Sequence, residues 1–129
     1  MRAVDTNVVV RLLAADDPKQ AKIAREVFDA GVFLSTTVVL ETEWVLRDAY
    51  DFPREAIAES LRRAAGLPGV VVEEPERVAQ ALDWMEAGMD FADALHVAGA
   101  RGCSAFVSFD RRLARIAKGR TAVPVTLSG

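Results

Sequence analysis

The chain is poor in the residues that build covalent frameworks and soft-metal sites. Among 129 residues there is one cysteine, Cys103, and one histidine, His96. A single cysteine excludes a disulfide framework within the chain and points to a reducing, cytosolic setting. Cys103 itself is expected as a small buried apolar residue. A Cys/His zinc site is excluded by the same scarcity. No Ser-His-Asp or Cys-His nucleophile set can be drawn, because the sole histidine and cysteine fall on one predicted helix, residues 90–101, and just past it. Long apolar runs are missing too. The longest uncharged stretch, residues 30–40, is far short of the roughly 20 apolar residues that span a bilayer. Asp5 interrupts the apolar N-terminus at once, which argues against a secretion signal. Repeats, low-complexity segments and linkers are absent. The expectation is a soluble, cytoplasmic protein.

What is present is enough for a core. With 51% hydrophobic and 27% charged residues, the composition is globular, and this length predicts one domain, residues 1–129. Formal net charge is −3, which argues against a general coat for nucleic acid. The distribution says more. Arg111, Arg112, Arg115, Lys118 and Arg120 lie within ten residues with no acid among them, leaving 11 basic against 19 acidic residues elsewhere. Such a run is either a solvated helix face or a patch that meets a polyanion at one place.

Short apolar stretches alternate with longer helical patterns. Strands are predicted at residues 2–4, 31–34, 70–72, 105–108 and 123–125, the last limited by Pro124 to an edge or a strand end. Helices are predicted over residues 8–15, from Pro18 to about 30, from a Ser35 or Thr36 cap to about 50, from Pro53 to about 65, from Pro75 to Gly88, and over 90–101. A last helix follows an Asp110 cap. Strands separated by helices indicate an α/β, three-layer fold: a parallel sheet flanked by helices. Ligands of such sheets bind beyond the carboxyl ends of the strands, where Asp5 and Asp110 fall.

Several acids lack local partners. In TVVLETEWVL, Glu43 has Arg47 at i+4, and a surface ion pair explains it. Glu41 has Thr37, Val38, Trp44 and Val45 at helical spacing, none able to neutralise a carboxylate. Either it reaches water past Trp44, or a distant group or cation meets it. Asp90 suits a helix N-cap, and Asp93 then lies in the first turn, where the helix dipole favours negative charge. Two acids at i, i+3 nonetheless repel, and no Lys or Arg lies at i±3 or i±4 of Asp93. His96 shares that face, with packing or support of the acids as its expected role. The topology would carry Asp5 and Asp110 to one edge, with Glu41 and Asp93 near. Two like charges 4 Å apart repel by about 4 kcal/mol at an effective dielectric near 20. A hard divalent cation offsets this, and oxygen ligands favour magnesium or manganese over zinc.

These residues fall in a recognisable order. Val4-Asp5-Thr6-Asn7, the segment from Ser35 to Leu46 with Glu41 three residues before Trp44, Asp90-Phe91-Ala92-Asp93-Ala94-Leu95-His96, and Ser108-Phe109-Asp110 together resemble the four acidic motifs of PIN-domain ribonucleases, specifically VapC-type toxins of type II toxin–antitoxin systems. The resemblance covers essentially the whole chain. Threonine is more common in that family where Ser108 stands. It implies strand order 3-2-1-4-5 and hydrolysis of RNA with magnesium or manganese. Asp5 and Asp93 would be the main metal ligands, with Glu41 and Asp110 completing the acidic pocket directly or through water. Thr6, Asn7 and Ser108 would orient the carboxylates by hydrogen bonds. Asp90 would cap its helix or touch the metal through water. Arg111, Arg112 and Arg115 would engage the phosphate backbone. The family also implies a small VapB-like antitoxin over the cleft and a homodimer formed through helices of the first half.

Two other readings share some of these features. A receiver- or phosphatase-type phosphotransfer domain needs an N-terminal acidic pair or Asp-x-Asp loop, whereas Asp5 is followed by Thr6 and Asn7. A catalytically inert PIN-like module that binds RNA or a protein would not need all four acids.

Overall fold

The computed structural model describes residues 1–128, along which seven helices alternate with five short strands. The chain divides into two compact units, one from Met1 to Pro75 and one from Glu76 onward.

In the first unit the elements are β1 (Arg2–Ala3), α1 (Thr6–Ala14), α2 (Pro18–Asp29), β2 (Val32–Leu34), α3 (Thr36–Asp48), α4 (Arg54–Ala65) and β3 (Val70–Val72). The helix starts obey local chemistry. Asp5 caps α1 by accepting from the Val8 N–H, Ser35 caps α3 by accepting from the Val38 N–H, and Asp17 caps α2, with Pro18 at a position whose N–H needs no partner. The three strands pair in parallel in the order β1-β2-β3, with Ala3 opposite Phe33 and Leu34 opposite Val72. The turns entering β2 and β3 hold Gly31 and Gly69 at φ 94° and 80°, and a Cβ on Gly69 would lie 3.4 Å from the Gly31 Cα. Both the left-handed backbone and the close approach call for glycine. Val9, Phe28, Val32, Leu46 and Ile57 are among the fully buried side chains, each contributing about 1.5–3 kcal/mol of transfer free energy.

The second unit carries α5 (Pro75–Glu86, its first residue at the division), α6 (Phe91–Ala98), β4 (Phe106–Ser108), α7 (Arg111–Ala117) and β5 (Val125–Leu127). Strands β4 and β5 are parallel, with Phe106 opposite Val125. Leu82, Met85, Phe91, Leu95 and Leu113 are buried. Arg77 fastens α5 to α6: its Nε donates to the Leu95 carbonyl at 2.8 Å, and its guanidinium lies where a Cβ on Gly99 would be, 2.6 Å away.

The α/β class with parallel sheets and flanking helices is as the sequence predicts. The hydrogen-bonded pairings are β1-β2-β3 and β4-β5. Several expectations need correction. The last strand starts two residues late, because Pro124 has no N–H to give; its carbonyl instead accepts from the Phe106 N–H at 2.9 Å, and pairing then runs through Val125. Helix α6 stops at Ala98, where the Gly99 N–H closes on the Leu95 carbonyl, three residues short of Arg101. On α2 the buried stripe is Ala21, Ala24 and Phe28, and Ile23 is exposed. Cys103 is exposed in the turns after α6, not buried.

The largest correction concerns α3. Its inward stripe is Val39, Thr42, Glu43 and Leu46, spaced i, i+3, i+4, i+7. Glu43 is therefore buried at 3% exposure and is not a surface acid. Arg47, half exposed, reaches in with Nε at 2.8 Å and one terminal nitrogen at 3.3 Å. Glu41 and Trp44 are turned outward. Replacing Glu43 by Ala removes a desolvated acceptor and its charge-assisted pair, while Arg47 can return to water. The expected cost is about 1–3 kcal/mol, seen as a lower midpoint in denaturant titration, whereas Glu41→Gln leaves that midpoint near the parent value.

Candidate active site

In the first unit the candidate residues sit where β1 runs into α1. Asp5 is exposed, with extended backbone (φ −89°, ψ 175°), and its Oδ1 accepts from the Val8 N–H at 3.2 Å. A carboxylate offers about four lone-pair sites, so capping leaves most of its acceptor capacity free. Thr6 follows, 7% exposed, and its Oγ1 donates to Glu41 Oε1. This answers what meets Glu41: a hydroxyl 35 residues away, anchored in the first turn of α1, holds one of its oxygens. Asn7 is exposed on the same turn.

In the second unit three aspartates interact. Asp90 caps α6, its Oδ2 accepting from the Asp93 N–H at 3.1 Å. Asp110 caps α7, its Oδ1 accepting from the N–H groups of Arg112 (2.9 Å) and Leu113 (3.1 Å), while the Asp110 N–H donates to Ser108 Oγ at 3.0 Å. Half-buried Asp93 has its pKa raised above the ordinary carboxylate value by burial first, then by the negative charges of Asp90 and Asp110; His96 opposes the rise. Burial and two like charges thus outweigh the helix-dipole stabilisation expected for a first-turn acid. His96 is exposed and sits one helical turn after Asp93, where a cationic imidazole favours the ionised carboxylate. Arg111, Arg112 and Arg115 are all exposed on α7.

The first unit thus brings Thr6 to Glu41 beside Asp5, and the second brings Asp90, Asp93, Asp110 and Ser108 together with His96. Among the described residues no group of three or more His, Cys, Asp or Glu side chains is arranged as a metal-binding set. The donor chemistry nevertheless fits a hard divalent cation. Every candidate ligand is an oxygen, and at Asp93 burial first, then the charges of Asp90 and Asp110, disfavour the ionised carboxylate that a cation would favour. Sequence reasoning missed the Arg77 brace and the exposure of Phe109, which stands at 83%. Neither has a signal at helical or strand spacing: Arg77 acts across 18 residues, and an exposed phenylalanine looks like any other in a one-dimensional pattern.

The PIN-domain family model matches residues 2–119, and the chain belongs to that family. The resemblance drawn from the four motifs is borne out at this level. No curated protein matches the chain. Among solved structures, it is similar to Mycobacterium tuberculosis VapC20, described as a sarcin-ricin loop cleaving toxin, with 23% identity, a TM-score of 0.44, and coverage of 96% of this chain and 99% of that one. Among the described residues no helix is long and apolar enough to cross a membrane.

The charge crowding at Asp93 has a thermodynamic consequence. A carboxyl whose folded pKa lies above its unfolded value favours the fold while neutral. That contribution is complete in acid, below the unfolded value, and is lost as pH rises through the folded one. Asp93→Asn cannot ionise. In EDTA at about pH 7 it should melt at a higher temperature than the parent, and the gap should close as pH falls below the ordinary carboxylate range near 3.9. Parallel thermal melts across that range check it.

Proposed function

We propose that the chain is a divalent-metal-dependent endoribonuclease, the toxin of a VapC-type type II toxin–antitoxin module. The observation that carries this reading is PIN-family membership across residues 2–119 in a chain that keeps the acids of all four motifs, Asp5, Glu41, Asp93 and Asp110. On that reading these four residues hold the metal, magnesium or manganese. When bound, the ion supplies a water of lowered pKa and offsets the charge developing on the phosphate.

The chain's own groups do the positioning. The Thr6 hydroxyl holds Glu41 in one orientation, and the Ser108 hydroxyl fixes the Asp110 backbone. Backbone N–H groups at the starts of α1, α6 and α7 orient Asp5, Asp90 and Asp110. Preorganisation of this kind removes the entropy of gathering mobile carboxylates at the moment of reaction. Arg111, Arg112 and Arg115 take the phosphates on either side of the cut; such interactions place the strand without reading its bases. The reaction adds water across one phosphodiester, so no side-chain nucleophile is required.

The same reading supplies partners. A cognate antitoxin, VapB-like, covers the acidic site, and a homodimer forms through helices of the first half, where Ile23 on α2 and Trp44 on α3 are exposed at 55% and 52%. The setting is the cytoplasm, where the RNA is.

Cleavage of a labelled RNA with and without magnesium or manganese is the deciding measurement. Asp5→Asn and Asp93→Asn should each abolish metal-stimulated cleavage while leaving circular dichroism unchanged; retained activity would take that residue out of the site. Arg112→Glu should weaken RNA binding and reduce the slope of log Kobs against log salt by about 0.7 for each phosphate that is no longer neutralised. An unchanged slope would make the basic run a solvated face only.

A further inference from the structure

We propose that Phe109 is a stacking platform for a nucleobase of the RNA strand, beside the arginines that take its phosphates. The inference rests on the ribonuclease reading above and deepens it. Phe109 is 83% exposed, the most exposed of the large hydrophobic side chains. It stands in the bend between β4 and α7, just past a strand on which Val107 is 64% exposed and Phe106 and Ser108 are half-buried. An aromatic ring left in water has no packing role to explain it.

The backbone on both sides of the ring is fixed. Ser108 pairs with Leu127 across β4 and β5 and accepts from the Asp110 N–H. Asp110 in turn is locked by two backbone N–H groups of α7. The ring is therefore presented from a rigid support with little ordering left to undergo on binding. Immediately after it come Arg111, Arg112 and Arg115, all exposed, and among the described residues none of their side chains forms an ion pair or hydrogen bond.

An exposed aromatic face adjoining unpaired cations fits single-stranded nucleic acid, whose bases stack while its phosphates pair with arginine. A second copy of this chain fits poorly, because a self-complementary interface would set one basic run against another. An apolar protein surface would cover the ring and leave the arginines unmatched.

The test uses the full chain and a fluorescently labelled single-stranded RNA, with binding followed at several salt concentrations. Phe109→Ala should weaken binding about five- to hundredfold with the salt slope unchanged, because no charge is removed. Phe109→Trp should bind like the parent, and Phe109→Leu, apolar but without a π face, should bind like the alanine variant. Melting temperatures should match throughout, since the ring is exposed. Parent-like binding by the alanine or leucine variant overturns the stacking role while leaving the ribonuclease reading intact. A change of sedimentation on Phe109→Ala overturns it in favour of a second copy as the occupant. A parent protein that neither binds nor cleaves RNA with magnesium or manganese overturns the ribonuclease reading, and this inference with it.

Discussion

Carboxylates held by backbone N–H groups at helix starts tie short strands of this molecule to the helices that follow them. Asp5, Asp90 and Asp110 each stand one residue before a helix and each accept from an N–H of its first turn. Without such a bond the first-turn N–H groups would be orphaned. With it, the acid is both a structural cap and a fixed, partly unspent acceptor. Short strands ending near these positions deliver two of the acids there: Arg2–Ala3 before Asp5, and Phe106–Ser108 before Asp110. On the function proposed above, Asp5 and Asp110 would serve both the fold and the chemistry.

Asp93 is different in kind. It caps nothing; it lies inside the first turn of α6, half-buried, and burial first, then the charges of Asp90 and Asp110, push its pKa up. On the function proposed above, a divalent ion held there would offset both the burial and the neighbouring charges. The strain is local and small beside the core, in which Phe28, Leu46, Ile57, Leu82 and Phe91 are fully enclosed.

Much of this was legible in one dimension because it is governed by short-range rules. Pro18, Pro53 and Pro75 stand at or just before helix starts, and β-branched Val70-Val71-Val72 forms β3 as expected. Ser35, Asp90 and Asp110 serve as the expected caps because their side chains reach N–H groups two or three residues on; Asp5 caps as well, although the helix was expected to start only at residue 8. The failures came where distant packing decides. Glu43 and Glu41 are two residues apart, and local spacing assigned Glu43 to the surface and surrounded Glu41 with apolar neighbours. The actual orientation of α3 reverses their exposure, because the stripe with the best fit to the rest of the first unit runs through Thr42 and Glu43.

The alternation of strands and helices, the Asp90 and Asp110 caps and the family follow from the order of residues alone, since each depends on interactions within a few residues or on motif order. Packing in three dimensions set the rest: Thr6 is the partner of Glu41, Glu43 is enclosed, Cys103 and Phe109 stand in water, and three aspartates of the second unit share one field. Those outcomes depend on which faces meet across tens of residues, and burial and electrostatic interaction are set by distance in space, which spacing along the chain does not encode.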